Sequence, residues 1–380
     1  MKIKGKKTLK VAMVQGIFPH YREGIFSKLS EEYDFKLFHS SLDNGIPQKE
    51  LHFSNKIGAF NFKSLKYLRM TLSLFKFRPD VIIHEFSLSL VNLYVCYLYS
   101  KITGCKFIVW GHGYDRKNKF DPKLNFADKV RAFFVESSDA VVLYSDDVQQ
   151  LFQRTFDQKN IFVARNSIQS KEKDDLYNAM EYEGRTLVKA RLGFGDNINI
   201  GFVARLTSIK KVLLLCDLVE SFKLQGKGVT VHVVGDGEDF QTLTDAVREN
   251  DQQDNFILYG AIYDEAKVGE IIYASDFLVV PAWLGLTINH SFCYSTPVAT
   301  LINEKHPPEI EFAQDGYNSV LSNTMVNMSQ SIIRILDDKD TYIAMRANSR
   351  DYFVKNLGVE SMFSGFEKSI QSAKLRGKKQ

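Results

Sequence analysis

Proline and cysteine are scarce in this sequence, and no long apolar run occurs. Eight prolines in 380 residues exclude a proline-rich or collagen-like chain, and 44% hydrophobic with 25% charged residues excludes a disordered one. The four cysteines, Cys96, Cys105, Cys216 and Cys293, are scattered with no close pair. That spacing implies neither a zinc cluster nor a disulfide framework, and a reduced, cytosolic protein is expected. The uncharged stretch 86–100 is only 15 residues long and carries serines and an asparagine, whereas a spanning helix needs ~20 mostly apolar residues. The basic start is followed by an apolar run of only Val11 to Val14, too short for a signal peptide. No segment supplies the G-x-G-x-x-G dinucleotide fingerprint.

What is present is size and an uneven charge. A chain of 380 residues suits two domains of ~100–200 residues each. The net charge of +4 hides a split: 1–195 carries 31 Lys+Arg against 21 Asp+Glu, and 196–380 carries 18 against 24. A basic first half suits an anionic substrate, a nucleic acid or an anionic membrane surface. The basic residues are not interleaved with any nucleic-acid motif, so no nucleic-acid partner is expected.

Short apolar runs alternate with longer amphipathic ones, the grammar of a parallel-sheet α/β fold. Strands are expected at 9–14, 35–39, 81–84, 107–110, 140–144 and 161–164, with helices from about 22 and over about 87–101. The rhythm lapses from about 169 to 195, then restarts with strands at 198–203, 230–234, 256–259, 277–280 and 298–301. This predicts a first domain over 1–175, a linker region over 176–195, a second domain over 196–355, and a C-terminal helix in 356–380 packing back on the first. Two doubly wound domains facing across a cleft would bind ligands at the carboxyl ends of their strands.

The loops at those ends hold the candidate site. Arg205 and Lys210 lie where a strand enters a helix; a planar guanidinium and a compact ammonium there suit a diphosphate. Taken alone, such a pair is more often a solvated helix face. Gly235-Asp236-Gly237 permits a tight turn and close approach of a ligand to the backbone, though a plain turn needs the same residues. The run from Pro281 to Phe292 places Gly285, Leu286 and Thr287 at a loop-to-helix entry, with His290 one turn further on the face of Thr287. The common alternatives are a core histidine and an N-cap hydroxyl. Glu309 stands at a later loop-to-helix start, where an acid also favours the helix by ~0.3–1 kcal/mol.

The order of these segments resembles the GT-B nucleotide-sugar glycosyltransferases of family 4, the glycosyl transferases group 1. The motifs are Gly-Phe-Val-Ala-Arg-Leu with Lys210 five after Arg205, Val-Val-Gly-Asp-Gly at 233–237, Tyr-Gly at 259–260, Ala-Ser-Asp-Phe at 274–277 and Ser-Thr-Pro-Val-Ala-Thr at 295–300. The likeness extends through the Gly16 loop, Gly111-His112-Gly113 and 163–168 to roughly the whole chain. It implies that Arg205 and Lys210 bind the diphosphate, that Gly16 admits the donor phosphate to the backbone, that His112 reaches the transferred sugar, and that the base packs near Ile262. His20, Tyr21 and Arg22 are then placed with the acceptor. The family's two glutamates, eight positions apart, are here Ala282 and His290, so the chain looks like a side branch. Glu309 could partly cover for Ala282.

The resemblance implies a retaining hexosyltransferase-type enzyme. It would move a sugar from a nucleotide diphosphate donor to a glycan or lipid-linked glycan, in bacterial surface polysaccharide synthesis (capsule, O-antigen or exopolysaccharide). No cofactor and no metal are expected. A non-catalytic binding partner and a GT-B-shaped epimerase are the alternatives. Residues 56–78 mix six basic side chains with aromatic and leucine residues, which predicts an amphipathic surface helix on an anionic leaflet. Peripheral attachment to the inner face of the cytoplasmic membrane is the expected location.

Overall fold

The computed structural model describes residues 9–42, 51–114, 119–157, 160–169 and 171–375. The chain divides into two compact units, one of Met1–Ile168 with Gly358–Gln380, the other of Gln169–Leu357.

In the first unit seven strands form one parallel sheet. Their order is Ile161–Val163, Ala140–Leu143, Lys106–Gly111, Val81–Glu85, Lys10–Val14, Asp34–His39 and Ser54–Lys56. The central strands are largely apolar because both faces are covered. On one face, Ile25, Phe26 and Leu29 of the helix Glu23–Glu32 pack with Met362, Phe366 and Ile370 of Val359–Leu375. On the other, Leu93, Cys96 and Tyr99 of Asn92–Thr103 pack with Phe134 and Val135 of Phe126–Ser137. Gly365 lets the last helix close on the sheet, since a Cβ there would stand 2.2 Å from the Val163 carbonyl oxygen.

The second unit holds a six-stranded parallel sheet in the order Phe256–Gly260, Val229–Val234, Ile198–Val203, Phe277–Val279, Val298–Leu301, Ser319–Ser322. The helices Leu214–Leu224 and Glu265–Ala274 pack against it through Leu215, Leu218, Phe222, Ile271 and Ile272.

Two expectations need correction. The linker over 176–195 is helical, as Lys171–Glu183 and Arg185–Arg191. Its polar composition hid one inward face at helical spacing, Lys173, Tyr177 and Met180. Arg350 lies over the Tyr177 ring at 4.2 Å and donates to Asp174 at 2.8 Å. Arg185 donates to the carbonyls of Tyr273 and Ala274 and pairs with buried Asp276 at 2.7 Å.

Residues 56–78 are not an amphipathic helix. They fold as an antiparallel hairpin, Ala59–Phe62 with Leu65–Leu68, followed by the short helix Thr71–Phe77. Alternation of side chains along 59–62 and 65–68 suits a strand pair rather than a helix. Lys63 turns the tip with a φ of 52°. Buried Asn92 then fixes the hairpin's end, accepting from the Leu68 N–H at 2.7 Å and donating to the Leu68 carbonyl at 3.0 Å.

Candidate functional site

In the second unit the carboxyl ends of the central strands gather most of the expected residues. After Ile198–Val203 the loop through Arg205 is sewn to the Gly235–Gly237 turn. The Ala204 N–H donates to the Val234 carbonyl at 3.1 Å, Leu206 N–H to the Asp236 carbonyl at 3.0 Å, and Asp239 N–H to the Leu206 carbonyl at 3.2 Å. A Cβ on Gly235 would lie 1.9 Å from the Ala204 oxygen, and one on Gly237 2.1 Å from the Leu206 oxygen. These glycines therefore serve the protein's own backbone: they let one loop lie on the other, with φ values of 144° and 154° that side chains rarely adopt.

That stitching leaves Arg205 exposed, with no hydrogen bond or ion pair among the described residues. Lys210 closes the 3-10 turn Ser208–Lys210, and its ammonium donates to the Trp283 carbonyl at 2.8 Å. Burial pulls the Lys210 ammonium down to about 8, against the opposing pull of Glu309. Glu309 is itself buried, in the 3-10 segment Pro308–Phe312.

The loop before the helix Thr287–Cys293 is held by a residue that sequence reading did not single out. His306 accepts the Leu284 N–H on Nδ1 at 3.0 Å and donates from Nε2 to the Leu301 carbonyl at 2.8 Å. One neutral tautomer satisfies both bonds, and burial holds the ring below its ordinary pKa. Thr287 donates to the Val203 carbonyl at 3.2 Å, which ties the helix start to the Arg205 loop. Gly285 and Leu286 lead into that helix, and a Cβ on Gly285 would meet only Pro307 at 3.5 Å. His290 sits partly buried in the helix, its N–H bonded to the Leu286 carbonyl. Ala282 is buried. Ile262 lies past the end of Phe256–Gly260, before Glu265–Ala274.

The first unit carries the other expected residues at the carboxyl ends of its own sheet. The Gly16 N–H donates to Glu85 Oε2 at 2.7 Å, and its carbonyl accepts from Lys66 Nζ at 3.0 Å and Ser40 Oγ at 2.8 Å. The Gly16 backbone is thus already engaged by the protein. Exposed His112 follows Gly111, and its ring lies 4.6 Å from that of Tyr144. His20, Tyr21 and Arg22 form a 3-10 turn. The Arg22 guanidinium lies over Trp110 at 4.6 Å and donates to the Tyr144 hydroxyl at 2.6 Å. Tyr144 and Gln15 were not singled out beforehand, because only the strand register brings their loops together.

Residues 185–352 match the family model described as Glycosyl transferases group 1. No curated protein matches the sequence. Among solved structures, the chain is similar to Anabaena Alr3699/HepE in complex with UDP, at 16% identity and a TM-score of 0.70, over 96% of this chain and 100% of that one. It is similar to a glycosyltransferase from Rickettsia africae at 15% identity and 0.69, over 98% and 100%. It is also similar to sucrose-phosphate synthase from Thermosynechococcus elongatus, at 14% and 0.68, over 97% and 98%. Two parallel sheets with these strand orders and these likenesses are the GT-B fold. Residues 185–352 thus match the glycosyl transferases group 1 family, and the chain has the GT-B fold.

Proposed function

We propose that the protein transfers a hexose from a nucleotide diphosphate sugar, a UDP-sugar first among the candidates, to a hydroxyl of a glycan or lipid-linked glycan with retention of configuration. The observation that carries this is the cation pair at one strand end: Arg205 exposed with no partner among the described residues, and Lys210 bonded to the Trp283 carbonyl. Negative charge grows on the departing diphosphate, and fixed cations aimed there stabilise the transition state more than the ground state. UDP is favoured because the Anabaena protein is recorded with UDP and with UDP-glucose. Retention follows from the family resemblance, with same-face attack assisted by the leaving phosphate and no metal or cofactor. A role in bacterial surface polysaccharide synthesis goes with that class of acceptor.

The hairpin supports attachment to an anionic membrane face. Phe60 and Phe62 are 55% and 59% exposed beside Lys63, and Leu72 is 86% exposed on the next helix. No helix among the described residues is long and apolar enough to cross a membrane.

A thermal-shift and transfer screen over UDP- and GDP-sugars tests the reading. Release of the nucleotide diphosphate with glycosylation of an acceptor is the expected result. Nucleotide-sugar binding with neither transfer nor hydrolysis across a broad acceptor panel would favour a non-catalytic binding partner, which Ala282 and His290 at the usual glutamate positions motivate.

A further inference from the structure

The carboxyl ends of the first unit's strands hold a cluster of hydrogen-bond donors with too few acceptors. Arg22 Nη2 donates to the Tyr144 hydroxyl at 2.6 Å and to Asn166 Oδ1 at 3.3 Å, and Nη1 reaches Gln15 Oε1 only at 3.4 Å. A guanidinium can only donate, so Gln15 must turn its oxygen toward Arg22 and its nitrogen away. That nitrogen, Arg22 Nε and the Nε1 of Trp110 are buried without a hydrogen-bond partner among the described residues. The Tyr144 oxygen accepts from Arg22, which leaves its own O–H to donate.

Arg22 makes no ion pair among the described residues, although it is always charged. Glu85, whose charge acts on it, gives its Oε2 to the Gly16 N–H instead. The Arg22 side chain remains partly exposed at the strand ends. A buried donor without an acceptor is costly, so a cluster of them around one charge marks a place that an acceptor-rich group completes.

We propose that this cluster is an anion subsite for the sugar acceptor, taking a carboxylate of an acidic sugar or a phosphate group. The inference rests on the glycosyltransferase reading for the word acceptor; the anion site itself does not. Arg22 supplies the planar charged fork, and Tyr144 and Gln15 supply neutral donors beside it.

Calorimetry on the full-length protein, with and without saturating UDP, decides it. The probes are methyl β-glucuronide, inorganic phosphate and the neutral methyl β-glucoside. The expected result is that one anionic probe binds at least about tenfold more tightly than the glucoside, with UDP present or absent. Which anion wins tells an acidic sugar from a phosphorylated acceptor. Arg22→Gln should lose about tenfold or more, Arg22→Lys should lose part, and Tyr144→Phe should weaken binding several-fold at unchanged melting temperature. If Arg22→Gln does not fold, the Lys and Phe variants carry the comparison. Equal affinity in wild type and variants, equal binding of the glucoside, or displacement of the anion by UDP would overturn the proposal. Failure of UDP to bind would overturn the transferase reading alone, because the UDP-free arm still decides the anion site.

Discussion

The Lys210 ammonium donates to the carbonyl of Trp283 at 2.8 Å, and Trp283 itself holds a φ of 52°. A cation partly removed from water and bonded to one carbonyl is poorly compensated, which is why its pKa falls to about 8. A bound diphosphate supplies the missing charge and raises that pKa, so binding takes up a proton wherever free Lys210 is neutral. UDP affinity should therefore hold below pH 8 and weaken above it, by up to about tenfold per pH unit. Calorimetry at pH 7, 8 and 9 measures this. Lys210→Arg, always charged, should flatten the profile; a wild-type profile already flat would remove Lys210 from the diphosphate site.

Arg205 is exposed and no bond holds it among the described residues, so its removal should spare the fold. Arg205→Ala should keep the wild-type melting temperature and lower kcat by on the order of a hundredfold, the cost of losing one charge-stabilising donor. Unchanged kcat in the folded variant would reassign the transition-state role.

Gly235 has no room for a methyl group against the Ala204 oxygen. Gly235→Ala must push apart two hydrogen-bonded loops, at a cost on the order of 3 kcal/mol. Gly285→Ala, with 3.5 Å to Pro307, should cost far less. Urea denaturation of the two variants makes the comparison, and equal stabilities would contradict it.

His232 is buried between Asn199 and Tyr259, donating from Nε2 to Asn199 Oδ1 at 3.0 Å and accepting the Tyr259 O–H on Nδ1 at 3.1 Å. Burial lowers its pKa from 6.5 to about 4. Between those values the unfolded chain binds the proton and the folded chain does not. Stability should thus be full above pH 6.5 and fall by about 3 kcal/mol as the pH drops to 4. His84 in the first unit, also lowered to about 4 by burial, adds a slope of the same sign. His232→Gln should lessen the acid sensitivity of the second unit's unfolding in pH-resolved denaturation; an identical slope would exclude His232 as its source.

Flotation with vesicles of neutral and anionic lipid tests the membrane reading. Recovery should be higher with anionic lipid, since each basic group near such a surface contributes about 1 kcal/mol. Replacing Lys63, Arg69 and Lys76 by glutamine, or Phe60 and Phe62 by serine, should reduce it. Lys66 is left alone because it holds the Gly16 carbonyl. Equal recovery from both lipids would sink the reading.

By itself, the sequence determined the parallel α/β fold and the ends of most strands. An apolar run such as Ala140–Leu143, buried on both faces, is a local property that neighbours do not alter. It also carried the family motifs, whose order is linear. Tertiary structure decided what depends on distant partners. The segment 171–191 reads as polar until Arg350 and Asp276 are placed against it. The hairpin at 59–68 needs Asn92 to fix its end. His306 earns its role only when Leu301 and Leu284 lie on either side of its ring. Gly235 and Gly237, legible as a tight turn, also accommodate the neighbouring strand's loop, because strand order in a parallel sheet is set by crossover connections that local sequence does not encode.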